Sequence, residues 1–76
     1  MKYKILIMPK NNILDPQGST IEKNLKNLGF NKVSNIRQGK VIELDISDDV
    51  KDPILYIEEV CSKLLVNNII EEFEII

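Results

Sequence analysis

A chain of 76 residues with one cysteine and no histidine has no internal means of stapling itself together. A domain this small buries only about 60% of the surface its unfolded chain exposes. Ordering costs of about 1.5 kcal/mol per residue then nearly cancel the gain from burial. Cys61 has no second cysteine to pair with, and one thiol without histidine makes no zinc site. The missing surface must come from another chain. A single domain over residues 1–76 that oligomerises is the expectation.

Charge narrows the field further. A net charge of -2 argues against a nucleic-acid surface, which needs a basic excess. The longest apolar run falls far short of the ~18 residues of a membrane span. Met1-Lys2-Tyr3-Lys4 leads straight into a strand-like run, so no secretory leader is expected. With a single thiol, this points to the cytoplasm.

The order of elements follows from periodicity and punctuation. Lys2 to Pro9 alternates, with Tyr3, Ile5 and Ile7 on one face and Lys4, Leu6 and Met8 on the other. Both faces are partly apolar, as in a strand central to a sheet or at an interface. Asp15-Pro16 is a cap followed by a proline suited to the first helical position. Ser19 and Glu22 have the spacing of a capping box. A helix is predicted over Pro16 to Leu28, burying Ile21, Leu25 and Leu28. Gly29 follows as a left-handed C-terminal residue, with Phe30 packing back on the last turn.

Val33 to Arg37 reads as a second strand and Val41 to Ile46 as a third, joined through Gln38-Gly39-Lys40. Gly39 is available there for positive φ. In the third strand Ile42, Leu44 and Ile46 face inward. Asp52-Pro53 repeats the cap-then-proline start, and a second helix is predicted from Pro53 to Val66. Ile69 to Ile76 is the last strand.

The order β-α-β-β-α-β is that of a ferredoxin-like α+β sandwich: an antiparallel sheet with two helices on one face. Its other face would be bare in a monomer. Leu6, Met8, Val41 and Ile70 or Ile76 are the residues to line it, and such a face marks a partner surface. Oligomerisation through the sheet is expected.

The chain offers little chemistry. It has no histidine, no nucleophile elbow, no glycine-rich phosphate loop and no paired cysteines. Cys61 lies at a core spacing and lacks a basic partner, so it reads as a packed small hydrophobe. The pairs Asp48-Asp49, Glu58-Glu59 and Glu71-Glu72 do not converge on one point and read as solvated surface. Arg37 stands out as the only arginine beside nine lysines. Its planar fork is something lysine cannot copy. With Lys40 it could grip a carboxylate or phosphate of a ligand or partner, or it could pair with Glu43 or Asp45 of its own chain. Gly18 in a first helical turn costs about 1 kcal/mol against alanine. That cost implies a close backbone approach.

Taken together, the motifs carry a resemblance. They are Leu14-Asp15-Pro16-Gln17-Gly18, Leu25-x-x-Leu28-Gly29-Phe30, Val33, Ile36-Arg37-x-Gly39-Lys40, and Cys61-x-Lys63-Leu64-Leu65-x-Asn67 with Ile70-Glu71 behind. In this order and spacing they resemble the PurS family, over nearly the whole chain. Thr20 stands where alanine or similar is common, and Asn68 where proline often follows the asparagine.

The resemblance implies a small α+β subunit that forms a homodimer or homotetramer. It also implies two partners, a PurQ-like glutaminase and a PurL-like synthetase. Their complex, phosphoribosylformylglycinamidine synthase, is a glutamine-dependent C–N ligase of purine biosynthesis. It converts formylglycinamide ribonucleotide, glutamine and ATP into formylglycinamidine ribonucleotide, glutamate, ADP and phosphate. ATP and magnesium belong to the synthetase. This chain carries no cofactor and no catalytic residue, bridges the other two, and supports ammonia transfer. Asp15, Pro16, Gln17, Gly18, Arg37, Gly39, Lys40 and Asn67 become the expected binding or subunit-interface residues. The alternative is a ferredoxin-like regulatory module that binds a small anion at Arg37 and Lys40.

Overall fold

The computed structural model describes residues 1–76. Strand β1 (Lys2–Pro9) lies at the centre of a three-stranded antiparallel sheet, between β2 (Lys40–Asp45) and β3 (Glu71–Ile75). A central strand is shielded on both edges, which suits the mixed apolar content of both its faces. Register places Ile5 opposite Ile42 and Ile75, and Ile7 opposite Phe73. One face of the sheet thus becomes continuous and apolar.

Helix α2 (Pro53–Val60), extended by a π-helical turn at Cys61–Leu65, covers that face. Asp52 caps it by accepting the Leu55 N–H. Ile5, Ile7, Ile46, Ile57, Cys61 and Val66 form the core. Burial pushes the Cys61 thiol up, reinforced by the Glu58 carboxylate, so it packs as a neutral small hydrophobe. The opposite face presents Leu6 and Met8 half-exposed and Val41 exposed, as expected.

Helix α1 (Pro16–Asn27) begins at Asp15, whose side chain accepts the Gly18 N–H. It closes in a Schellman motif: Phe30 N–H reaches the Leu25 carbonyl and Gly29 N–H that of Lys26, with Gly29 at φ 96°. Phe30 nevertheless stays exposed rather than packing back. The capping box does not form, because Asp15 is the cap and Glu22 turns elsewhere.

The antiparallel α+β order holds, but two expectations need correction. Val33 to Arg37 is extended yet joins no sheet, and none of its backbone groups meets another backbone group. Asn35 interrupts it at φ 56°, a left-handed conformation incompatible with a continuous strand. Helix α1 does not pack beside α2 either. Its only buried residue is Gly18, while Ile21, Leu28 and Phe30 are exposed. Helix and return segment form an arm. The radius of gyration is 16.0 Å and the longest dimension 52 Å. A compact chain of this length would have a radius of about 11 Å.

Candidate functional site at the base of the arm

The two sequence motifs are brought together where the arm leaves the sheet. Asp15 sits at the junction because it must cap α1, and its second oxygen is then free to reach across. Oδ1 accepts from Gly18 N–H at 3.1 Å and Oδ2 from Gln38 N–H at 2.6 Å. One carboxylate thereby joins the outgoing helix to the returning segment. The Gln38 N–H, then that of Gly18, holds the Asp15 carboxyl below its ordinary range.

The glycines explain the closeness. A Cβ at Gly18 would overlap the Ile36 carbonyl, so the costly helical glycine marks a close approach, as expected. Gly39 serves the same purpose, lying against the Ile7 carbonyl and the Met8 side chain. Its φ is not positive, so the expected left-handed turn is absent.

Arg37 pairs with neither Glu43 nor Asp45 of its own chain. Its fork donates to the Pro9 and Lys10 carbonyls and to Asn11 Oδ1, the Lys10 contact at 2.8 Å. Three acceptors fanned around one plane suit a guanidinium and defeat an ammonium. Lys40 takes the nearest carboxylate instead, Glu71 Oε2 at 3.9 Å.

By sequence Glu71 belongs to an acidic pair expected at the solvated surface. It is half-buried, and Glu71 Oε1 also accepts the Asn67 N–H at 2.8 Å. Asn67 is therefore tied to Lys40 through Glu71. Glu22 is the second residue missed: it accepts the Ile36 N–H at 3.3 Å and pairs with Lys26, and those bonds keep its carboxyl low. The signal for Glu71 was its parity with Phe73 and Ile75. No signal in the sequence pointed from Glu22 to Ile36.

A groove of about 340 Å³ opens between these walls, with Asp15, Pro16 and Gln17 on one side and Gln38, Gly39 and Lys40 on the other. Pro16, Gln17, Gly39 and Lys40 are exposed along it. Asp15 is committed to two backbone donors and stays ionised, which unfits it as a proton carrier at neutral pH. No three histidine, cysteine or carboxylate side chains converge as a metal would require. The arrangement is chemically suited to fixing geometry and presenting a surface.

Residues 2–76 match the family described as PurS: Phosphoribosylformylglycinamidine (FGAM) synthase. The phosphoribosylformylglycinamidine synthase subunit PurS of Bacillus subtilis is 38% identical over 72 residues, covering 95% of this chain and 86% of its own. That of Mycobacterium leprae is 42% identical over 69 residues, covering 91% and 85%. Among solved structures, Bacillus subtilis PurS superposes with a TM-score of 0.90 at 36% identity, covering 99% of this chain and 94% of that one. A chain of the PurLQS structure from Thermotoga maritima superposes at 0.82 with 32% identity, covering 100% and 96%.

Proposed function

The chain belongs to the PurS family, subunits of phosphoribosylformylglycinamidine synthase, and on that premise we propose that it bridges glutaminase and synthetase subunits without performing chemistry itself. The observation that carries this is the match to a chain of an assembled PurLQS complex over the whole length of this one. The site is consistent with it. Asp15, Arg37 and Glu71 are each engaged in holding backbone in place at the base of the arm.

The ligase reaction is divided accordingly. ATP and magnesium lie on the PurL-like partner and glutamine hydrolysis on the PurQ-like one. Ammonia passing between them must be kept from water, because protonation destroys the nucleophile. Packed subunits supply that exclusion with no acid or base from this chain. Self-association as a homodimer or homotetramer and a place in the cytoplasm complete the reading. No helix here is long and apolar enough to cross a membrane.

Pro16, Gln17, Gly39 and Lys40 are the surface offered to partners; Asp15, Gly18, Arg37 and Asn67 hold that surface in shape. The anion-binding alternative loses its main support, since the Arg37 fork is filled by its own backbone. The test is reconstitution. Glutamine-dependent synthesis by the two partners should appear only when this chain is added. Equal synthesis in its absence would refute the assignment.

A further inference from the structure

We propose that the outer face of the sheet, the one α2 leaves bare, docks on the synthetase, gripping there an apolar patch rimmed by lysine or arginine. The inference rests on the bridging role proposed above. It adds a second surface to the one at the base of the arm, as a bridge between two subunits requires.

Two observations and the chemistry of the partners carry it. The first observation is an apolar floor. Register sets Leu6 directly opposite Val41, and Met8 follows two residues along the same strand, so all three share the outer face. Leu6 and Met8 are half-exposed and Val41 is 52% exposed. A groove of about 210 Å³ lies over Leu6 and Met8, bounded by Glu72, Phe73 and Glu74 of β3. Filling it with an apolar side chain removes both surfaces from water.

The second is unspent charge beside that floor. Glu74 stands opposite Leu6 and Glu72 opposite Met8, so both carboxylates flank the groove. Both are exposed, and the ion pairs of the chain leave both out. On this face a second copy has no spare cation to answer them. Its lysines there are engaged, Lys4 with Glu43 at 3.5 Å and Lys2 opposite Asp45. The matching cations therefore belong to another protein.

The partners differ in the charge they gather. A glutaminase takes a substrate without phosphate. A synthetase takes ATP and a ribonucleotide, and phosphates are bound through lysine and arginine. The positive field that draws in phosphates also draws in a face flanked by carboxylates.

The test labels carboxylates with a carbodiimide and a small amine, in the chain alone and with each partner added, and reads every site by mass. Glu72 and Glu74 should label freely in the chain alone and at least ~5-fold more slowly with the synthetase. Glu58 and Glu59, exposed on α2, should keep their rates with the synthetase. Shielding of Glu72 and Glu74 in the chain alone would give the face to a second copy and overturn the proposal. Shielding by the glutaminase only would overturn it too. The Glu72→Lys/Glu74→Lys chain should bind the synthetase at least ~10-fold more weakly, and the deficit should shrink as salt rises. The same reversal at Glu58 and Glu59 changes net charge equally and should leave binding within ~2-fold. Equal losses from both pairs would trace the effect to overall charge and overturn the proposal. Reconstituted synthesis separates the two readings. Activity with Glu72 and Glu74 unshielded overturns this surface and leaves the family role standing. Shielding by the synthetase without activity upholds the surface and overturns the role.

Discussion

The sheet with α2 and the arm with α1 are made of the same kinds of residue, yet they are held by different forces. In the former, six side chains close a core around Ile5, Ile7, Ile57 and Cys61. In the latter, helix and return segment are held at the base by hydrogen bonds that Asp15 and Glu22 accept and Arg37 donates. Apolar burial is insensitive to direction, whereas hydrogen bonds to fixed donors impose it. One region supplies stability and the other supplies geometry.

Substitutions can test that division, beginning in the core. Ile57→Ala should remove about 2–5 kcal/mol in urea denaturation, enough to unfold much of a small domain. Leu28→Ala, measured in the dilute monomer, should stay within about 0.5 kcal/mol. A comparable loss from both would erase the contrast between the regions.

Arg37→Lys comes next. Lysine cannot serve three acceptors around one plane, and the Pro9 and Lys10 carbonyls would lose a charged donor. A fall of about 1–2 kcal/mol in stability is expected by thermal denaturation. Unchanged melting with lost complex formation would move Arg37 from its own backbone to a partner surface. Gly18→Ala should act more locally, at the contact between helix and return segment. Its methyl displaces the Ile36 carbonyl, so the Ile36 and Gln38 amides should exchange about tenfold faster while those of β1 do not change.

Acid provides the mildest test. Both Asp15 and Glu22 titrate below their ordinary values because backbone N–H groups favour the ionised form. Their contribution is fully present above the unfolded values near pH ~4 and is lost as pH falls through the lower folded ones. The Gln38 and Ile36 amide resonances should therefore stay constant from neutral pH down to ~5 and move only below ~4. Movement between ~6 and ~7 would show that other groups hold the arm.

What was legible in the sequence follows the same division. β1, β2, α2 and the core were readable because burial leaves periodicity: Ile42 and Leu44 alternate, and Ile57 and Cys61 recur at helical spacing. The cap at Asp15, the left-handed Gly29 and the close approach at Gly18 were readable because each needs a particular residue type. The arm misled for the same reason. Ile21, Leu25 and Leu28 have the spacing of a buried stripe, and Val33 to Arg37 has the composition of a strand. Spacing shows that a face is apolar, not which chain covers it. The reach of Asp15 to Gln38 and of Glu22 to Ile36 left no trace, since any carboxylate in place could do it.

The double grip of Asp15 has a mechanical meaning. An α1 helix of 12 residues rises about 18 Å from that point. It is a lever whose pivot is the Asp15 carboxylate, steadied by the Arg37 fork on the Pro9 and Lys10 carbonyls. A turn of 10 degrees at the pivot would carry the far tip through roughly 3 Å, about the width of a hydrogen bond. A neighbouring subunit pressing on Gln17 would be working the short end of that lever, and the displacement would be read at Phe30.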